Sequence, residues 1–186
     1  MAILNRLLIV AALLVCVAMS SLAAQRPAAQ LTEPEAKANF LYYLALFASW
    51  PPAAGNDALT VCLFGATPIS QALRVYEGRV VAGRRLDMRD LRAGDDLRGC
   101  HVLFLPRADP RRLASALSAV AGAPVLTVGE DDTFLAAGGM LRLTIDHERL
   151  RFDVELQPAD RVGITFSSRL LGQAARVTRG GRAVKP

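Results

Sequence analysis

The sequence predicts an α/β fold: a single three-layer domain, a mostly parallel sheet flanked by helices, with a C-terminal β-hairpin added to the sheet. Three observations predict it. Two segments, Leu59 to Tyr76 and Val102 to Val120, each read strand, turn and helix in that order, and such alternation builds parallel sheets covered on both faces. A further apolar run at Val125 to Val128 has the character of another buried strand. Beyond Met140 the pattern changes to alternation of apolar and polar residues, as in a hairpin with one solvated face.

The first helix opens at Thr32, which has the capping-box spacing to Glu35, with Pro34 tolerated in the first turn. Phe40, Leu41, Leu44, Phe47 and Ala48 then recur at three- and four-residue steps, and Pro51-Pro52 ends the helix because neither ring supplies a backbone donor. In the strand-turn-helix that follows, Gly65 permits a sharp turn, Thr67 caps and Pro68 takes the first helical position. Ile69, Ala72, Leu73 and Tyr76 form the buried side of that helix. Arg84 to Leu91 alternates weakly and reads as an edge strand, whose charges discourage pairing with strangers. Asp109 and Pro110 open the next helix, with Leu113, Leu117 and Val120 as its stripe. Glu130-Asp131-Asp132 marks an acidic turn or helix start. In the hairpin, Leu141, Leu143 and Ile145 face Leu150, Phe152, Val154 and Leu156 across a turn at Asp146, His147 and Glu148. Pro158 starts a short helix, and Ser167 caps a last one that packs Leu170, Leu171 and Ala174 inward.

The N-terminal end predicts export. Arg6, the apolar run Leu7 to Met19, and the small residues Ser20, Ser21, Ala23 and Ala24 follow the order of a secretory signal peptide, assigned to residues 1–24. The 13 apolar residues fall short of the roughly 20 that cross a bilayer as a helix. Cys16 lies inside the run behind Val15, which argues against a lipid-modified cysteine. The domain is assigned to residues 25–176 and a basic, flexible tail to 177–186. All 17 acidic residues lie between Glu33 and Asp160, whereas Arg161 to Pro186 holds six basic residues and no acidic one. A tail with Arg176, Arg179, Arg182 and Lys185 suits a solvated end or an anionic surface. A nucleic-acid interface is excluded, because no basic face is interleaved with stacking aromatics.

Catalytic and ligand motifs are sparse. Cys62 and Cys100 lie in or at the start of the apolar runs LTVCLF and CHVLFL. Outside the cytoplasm they are a disulfide candidate worth about 4 kcal/mol in the chain-entropy model, with two separate buried thiols as the alternative. Cys100-His101 with Cys62 offers three zinc ligands in principle, but a disulfide removes two, and consecutive strand residues point to opposite faces. Ser167-Ser168 lacks the flanking glycines of a nucleophile elbow. Gly65 alone does not make a phosphate cradle. The acidic trio lacks the spacing of a calcium loop, and Gly138-Gly139 reads as a tight turn or a close backbone approach. No cofactor and no catalytic residue is expected. Arg169, after two serines and before Leu170-Leu171, could anchor a carboxylate or a partner, or face water.

Taken together, the stretches KANFLYYLALFASWP, LTVCLFG, GCHVLFLP, VLTVGE, FLAAGGMLRL, LRFDVEL and GITFSSRLL, in this order and spacing, resemble the YfiR family of small periplasmic proteins, also called DUF4154. One departure is Tyr43-Leu44, where the family commonly has Asn-Phe. The resemblance implies a non-enzymatic α/β domain that represses an inner-membrane diguanylate cyclase of the YfiN type by binding its periplasmic region, so lowering cyclic di-GMP synthesis. It also implies an outer-membrane lipoprotein of the YfiB type that sequesters the repressor, homodimers, and regulation linked to redox state, with Cys62 and Cys100 at the positions of the family's paired-strand cysteines. A second cysteine pair found in some relatives is missing here. The partner-contact candidates are the solvent side of the first helix, including Tyr42, and the turn Ser167, Ser168, Arg169. The alternative function is a periplasmic small-ligand-binding sensor that uses a crevice of the covered sheet.

Overall fold

In the computed structural model, residues 31–54, 58–107 and 109–185 are described, and Thr32–Pro186 forms one compact unit. The signal-peptide assignment and Cys16 lie outside the described residues. Helix α1 (Glu33–Phe47) starts where the sequence predicts. The Glu35 carboxylate accepts from the Thr32 N–H at 2.8 Å and from its hydroxyl at 2.7 Å. The helix ends earlier than the Pro51-Pro52 signal suggests. Ala48–Ser49 leaves it as strand β1 and pairs antiparallel with β9 (Thr165–Phe166), a contact between segments more than a hundred residues apart in sequence.

The main sheet is built from β2 (Ala58–Phe64), β3 (Val80–Val81), β4 (Arg84–Leu91), β5 (Val102–Leu105), β6 (Leu126–Gly129), β7 (Leu141–Asp146), β8 (Arg149–Glu155), β10 (Arg176–Arg179) and β11 (Arg182–Ala183). Among the described residues its order is β11-β10-β8-β7-β6-β5-β2-β4-β3. The pairs from β4 through β2, β5 and β6 to β7 are all parallel, as is β8 with β10. The hairpin β7–β8 is antiparallel in the expected register, with Leu141 opposite Val154, Leu143 opposite Phe152 and Ile145 opposite Leu150. Its two-residue turn places His147 at φ 47° and Glu148 at φ 61°, the positive angles of a hairpin turn that follows the sheet twist. The weakly alternating Arg84–Leu91 strand is not itself the edge, because the two-residue β3 pairs along its start.

Both faces of the sheet are covered. On one side α1, α2 (Pro68–Leu73), α4 (Leu156–Arg161) and α5 (Ser168–Leu171) pack on Leu59, Val61, Leu63, Val102, Phe104, Leu126 and Val128. On the other, α3 (Pro110–Ala119) covers Cys62, Leu103, Leu105 and Val125 with Leu113, Ala116 and Leu117. Cys62 and Cys100 form a disulfide on that side, with Cα atoms 5.8 Å apart. The strand alternation of β2 and β5 divides the two clusters residue by residue.

Gly138-Gly139 performs both of its expected tasks, one per residue. Gly138 sits at φ 100°, where only glycine is at ease. A Cβ on Gly139 would lie 2.1 Å from the ring of buried Phe134, and one on Gly129 2.2 Å from the opposite side of the same ring. Phe134 therefore fills a notch that exists because two backbones carry no side chain.

The C-terminal stretch differs from the expected flexible tail. Val177 is buried, β10 pairs along β8, and β11 folds back on β10. The anchor is Glu155, whose carboxylate accepts from the Thr178 hydroxyl at 2.8 Å and from the Gly180 and Gly181 N–H groups at 2.7 and 3.0 Å, besides capping α4 through the Gln157 N–H at 3.1 Å. Burial pushes the Glu155 carboxyl up, but these hydrogen bonds outweigh it and leave its pKa below the usual carboxylate value.

Candidate functional site

From Phe40 onward helix α1 is apolar on both sides. Ala38, Leu41, Leu44 and Ala45 face the core, with Leu41 and Leu44 fully buried. The opposite side presents Tyr42, Tyr43, Leu46 and Phe47 at the three- and four-residue steps that share a helix face. Tyr43 is 45% exposed and Leu46 38%. A surface helix ordinarily places polar residues on its outer side.

These side chains form a ladder closed by an arginine at each end. The Arg169 guanidinium lies over the Phe47 ring at 5.7 Å, Phe47 stacks on Tyr43 at 6.2 Å, and Tyr43 meets Tyr42 edge-on at 5.6 Å. Tyr42 stacks on Tyr76 at 4.4 Å, and Arg79 sits 5.0 Å above the Tyr76 ring. The Tyr76 hydroxyl donates to Asn39 Oδ1 at 3.2 Å, fixing the second ring to the helix. Offset and edge-on rings at such distances attract one another, and an arginine over a ring adds a cation–π contact.

The sequence candidates come together on this side. The Ser167 N–H donates to the Phe47 carbonyl at 2.9 Å, so the Ser167–Arg169 turn is tied to the end of α1. Ser167 is half-buried and spends its hydroxyl capping α5 through the Leu170 N–H at 3.2 Å. Ser168 and Arg169 are exposed. Tyr42 is half-buried beneath its neighbours, while Tyr43 and Leu46 on the same solvent side carry more of the open surface. The signal that could have found them was the absence of a polar side in FLYYLALF.

His101 is a junction. Its Nδ1 accepts from the Thr60 N–H at 3.1 Å, Nε2 faces the Ala54 carbonyl at 2.8 Å, and its own carbonyl accepts from the Trp50 Nε1–H at 3.0 Å. Nδ1 as acceptor makes the neutral Nε2–H tautomer the one that fits. Arg84 approaches Nε2 at 2.5 Å. Burial is the largest influence and lowers the His101 pKa; the Ala54 hydrogen bond opposes it and the Arg84 charge reinforces it. Among the described residues, no three His, Cys, Asp or Glu side chains converge as metal ligands, and no helix is long and apolar enough to cross a membrane.

The sequence profile of DUF4154, described as YfiR/HmsC-like, matches residues 34–175. Among solved structures, the fold is similar to that of a conserved domain protein from Vibrio cholerae O1 biovar El Tor, with a TM-score of 0.53 and 11% sequence identity. The match covers 80% of this chain and 61% of that one, and at this identity the likeness concerns the fold alone.

Proposed function

The chain belongs to the YfiR/HmsC-like family, and on that premise we propose that it is a periplasmic regulatory protein that binds the periplasmic region of an inner-membrane diguanylate cyclase of the YfiN type and represses it. The observation that carries this is the open side of α1, whose aromatic ladder and exposed Leu46 form an apolar, arginine-flanked surface. Aromatic and arginine side chains dominate the binding energy of protein interfaces. Repression needs no chemistry from this chain. It needs higher affinity for the inactive cyclase than for the active one, since equal affinity shifts no equilibrium.

Residues 1–24 act, in this proposal, as the signal peptide that delivers the chain to the periplasm. A YfiB-type outer-membrane lipoprotein relieves repression by occupying the same surface, and a homodimer presents two copies of it. The test is the double substitution Tyr43→Ser/Leu46→Ser, which changes exposed side chains and leaves the core intact. Calorimetry against the periplasmic region of the cyclase should show affinity at least about 30-fold weaker, the loss of one interface hot spot, and cellular cyclic di-GMP should rise. The control Arg112→Ser/Ser115→Ala on the outer side of α3 should bind as wild type does. Equal affinity of the ladder variant and wild type would rule the surface out.

A further inference from the structure

The strand order β4-β2-β5-β6-β7 reverses direction between β2 and β5, because the chain first steps from β2 to β4 and then crosses back to β5. In open α/β sheets the crevice beyond the carboxyl ends of the strands at such a reversal is where ligands bind. Here that crevice is open, with a volume of about 250 Å³. Leu63, Phe64, Ile69, Phe104 and Pro106 make it apolar, and Lys37 of α1 supplies a charge at its rim. A second cavity, of about 410 Å³, shares Glu33 and Lys37 with the first and adds Arg107, Glu130 and Asp132.

The charges at the rim select the ligand. Lys37 is largely buried and its ammonium is ion-paired with two carboxylates, Glu130, which is 15% exposed, and Glu33, which is 55% exposed. A cationic ligand would have to draw Glu130 away from Lys37 and leave a buried charge without its partner, which is strongly unfavourable. An anionic ligand has an easier exchange, since its carboxylate can replace that of the solvent-facing Glu33 with no change in buried charge. We propose that this crevice binds a small apolar carboxylate, one ring or a short chain in length, with its carboxylate on Lys37 in place of Glu33 and its body against Leu63, Ile69 and Phe104. The volume lies just below the range of about 300–1,000 Å³ for ligand pockets, which sets the size. The site is separate from the aromatic ladder and does not depend on the identity of the partner.

The test titrates the isotope-labelled protein with 3-phenylpropionate, 3-phenyl-1-propanol and 3-phenylpropylamine, probes that differ only in head group, and follows backbone amides by NMR. The carboxylate should shift Lys37, Phe64, Gly65 and Ile69, with the alcohol binding more weakly and the amine weakest. Glu33→Gln, which alters an exposed side chain, should tighten the carboxylate about twofold to fivefold by removing the competing ion pair. Lys37→Met should weaken it at least about tenfold, with the amide spectrum showing that the variant is folded. The proposal is overturned if no probe shifts these residues at its solubility limit, if the amine binds as tightly as the carboxylate, or if Glu33→Gln leaves the carboxylate's affinity unchanged or weaker.

Discussion

The two helical layers of this domain end differently. On one face α3 buries Leu113, Ala116 and Leu117 and turns Arg111, Arg112, Ser115 and Ser118 to water, so it closes that side as a finished surface. On the other face α1 buries Leu41 and Leu44 and then presents Tyr43 and Leu46 outward, with Phe47 half-buried beside them. Both helices bury an apolar stripe against the sheet beneath them. What distinguishes them is the outer side, where α3 has the amphipathic segregation of a final layer and α1 does not. The difference teaches that the composition of a helix's outer side, read separately from its core stripe, reports whether anything else is meant to cover it. The two faces also divide the tasks. The α3 side holds the covalent and steric fixtures, the disulfide and the Phe134 notch, whereas the α1 side holds the open surface and the crevice.

This division is breakable, and the largest effect should come from the disulfide. Cys62 and Cys100 are both buried on the α3 side and 38 residues apart. Replacing both by alanine should lower global stability by about 4 kcal/mol, the loop-closure term for a loop of this length. If the staple serves only the finished face, the proposed binding to the cyclase should survive in the fraction that stays folded. A loss below about 1 kcal/mol in chemical denaturation would show that packing alone holds that face.

The next effect is steric. Gly139 has no positive φ, so alanine suits its backbone and the whole penalty comes from a Cβ 2.1 Å from Phe134. Gly139→Ala should destabilise by about 3 kcal/mol, the upper part of the usual overpacking range. Shrinking the ring in the double variant Gly139→Ala/Phe134→Leu should recover part of it, giving a coupling that a double-mutant cycle reads directly. Strict additivity of the two would mean that the notch is not what glycine provides there.

Local chemistry made most of this fold legible in advance. The Thr32–Glu35 box, the Thr67-Pro68 and Asp109-Pro110 helix starts and the hairpin from Leu141 to Val154 each rest on residues within a few positions of one another, and each stands in the structure, whereas Leu156, expected on the hairpin strand, instead opens α4 two residues before Pro158. What escaped depends on distant partners. Ala48–Ser49 looks helical until Thr165–Phe166 arrives to pair with it. Residues 177–186 are basic and glycine-containing and carry few apolar side chains, so composition describes a tail. The β8 strand, which pairs with β10, and the Glu155 carboxylate at its end, which collects the Gly180 and Gly181 N–H groups, lie more than twenty residues away and turn residues 176–183 into sheet. The candidate surface was half legible. Tyr42 and the Ser167–Arg169 turn do share a side, but their union through Phe47, and the part played by Tyr76 and Arg79, exist only once α1 is packed against its neighbours.

The smallest effect should come from acid, and it should fall first on the α1 side. The Trp50 indole and the Pro52–Ala54 turn, which carry the chain away from α1 and β1, are held by His101. Burial of the ring, reinforced by the Arg84 charge, lowers the His101 pKa from its ordinary 6.5 against the opposing Ala54 hydrogen bond, and a proton on Nδ1 would in addition set a second donor against the Thr60 N–H. As pH falls below that value the unfolded chain takes up a proton that the folded chain refuses. Stability is therefore fully present above pH 6.5 and is lost toward the lowered pKa, by at most about 1.4 kcal/mol per pH unit. The carboxylates with lowered pKa values, Glu35, Asp131 and Glu155, add their own losses only at more acidic pH, below their ordinary values of 4.5 and 3.8. The interval from pH 6.5 to about 5 thus isolates the histidine. In His101→Gln, whose amide oxygen and nitrogen offer the same acceptor and donor without a titrating group, chemical denaturation should give a flatter dependence across that interval. Hydrogen exchange on the wild type should show the amides of β1 and the end of α1 losing protection on acidification before those of α3. Equal loss on both faces would mean that His101 supports the sheet as a whole rather than the root of the open surface.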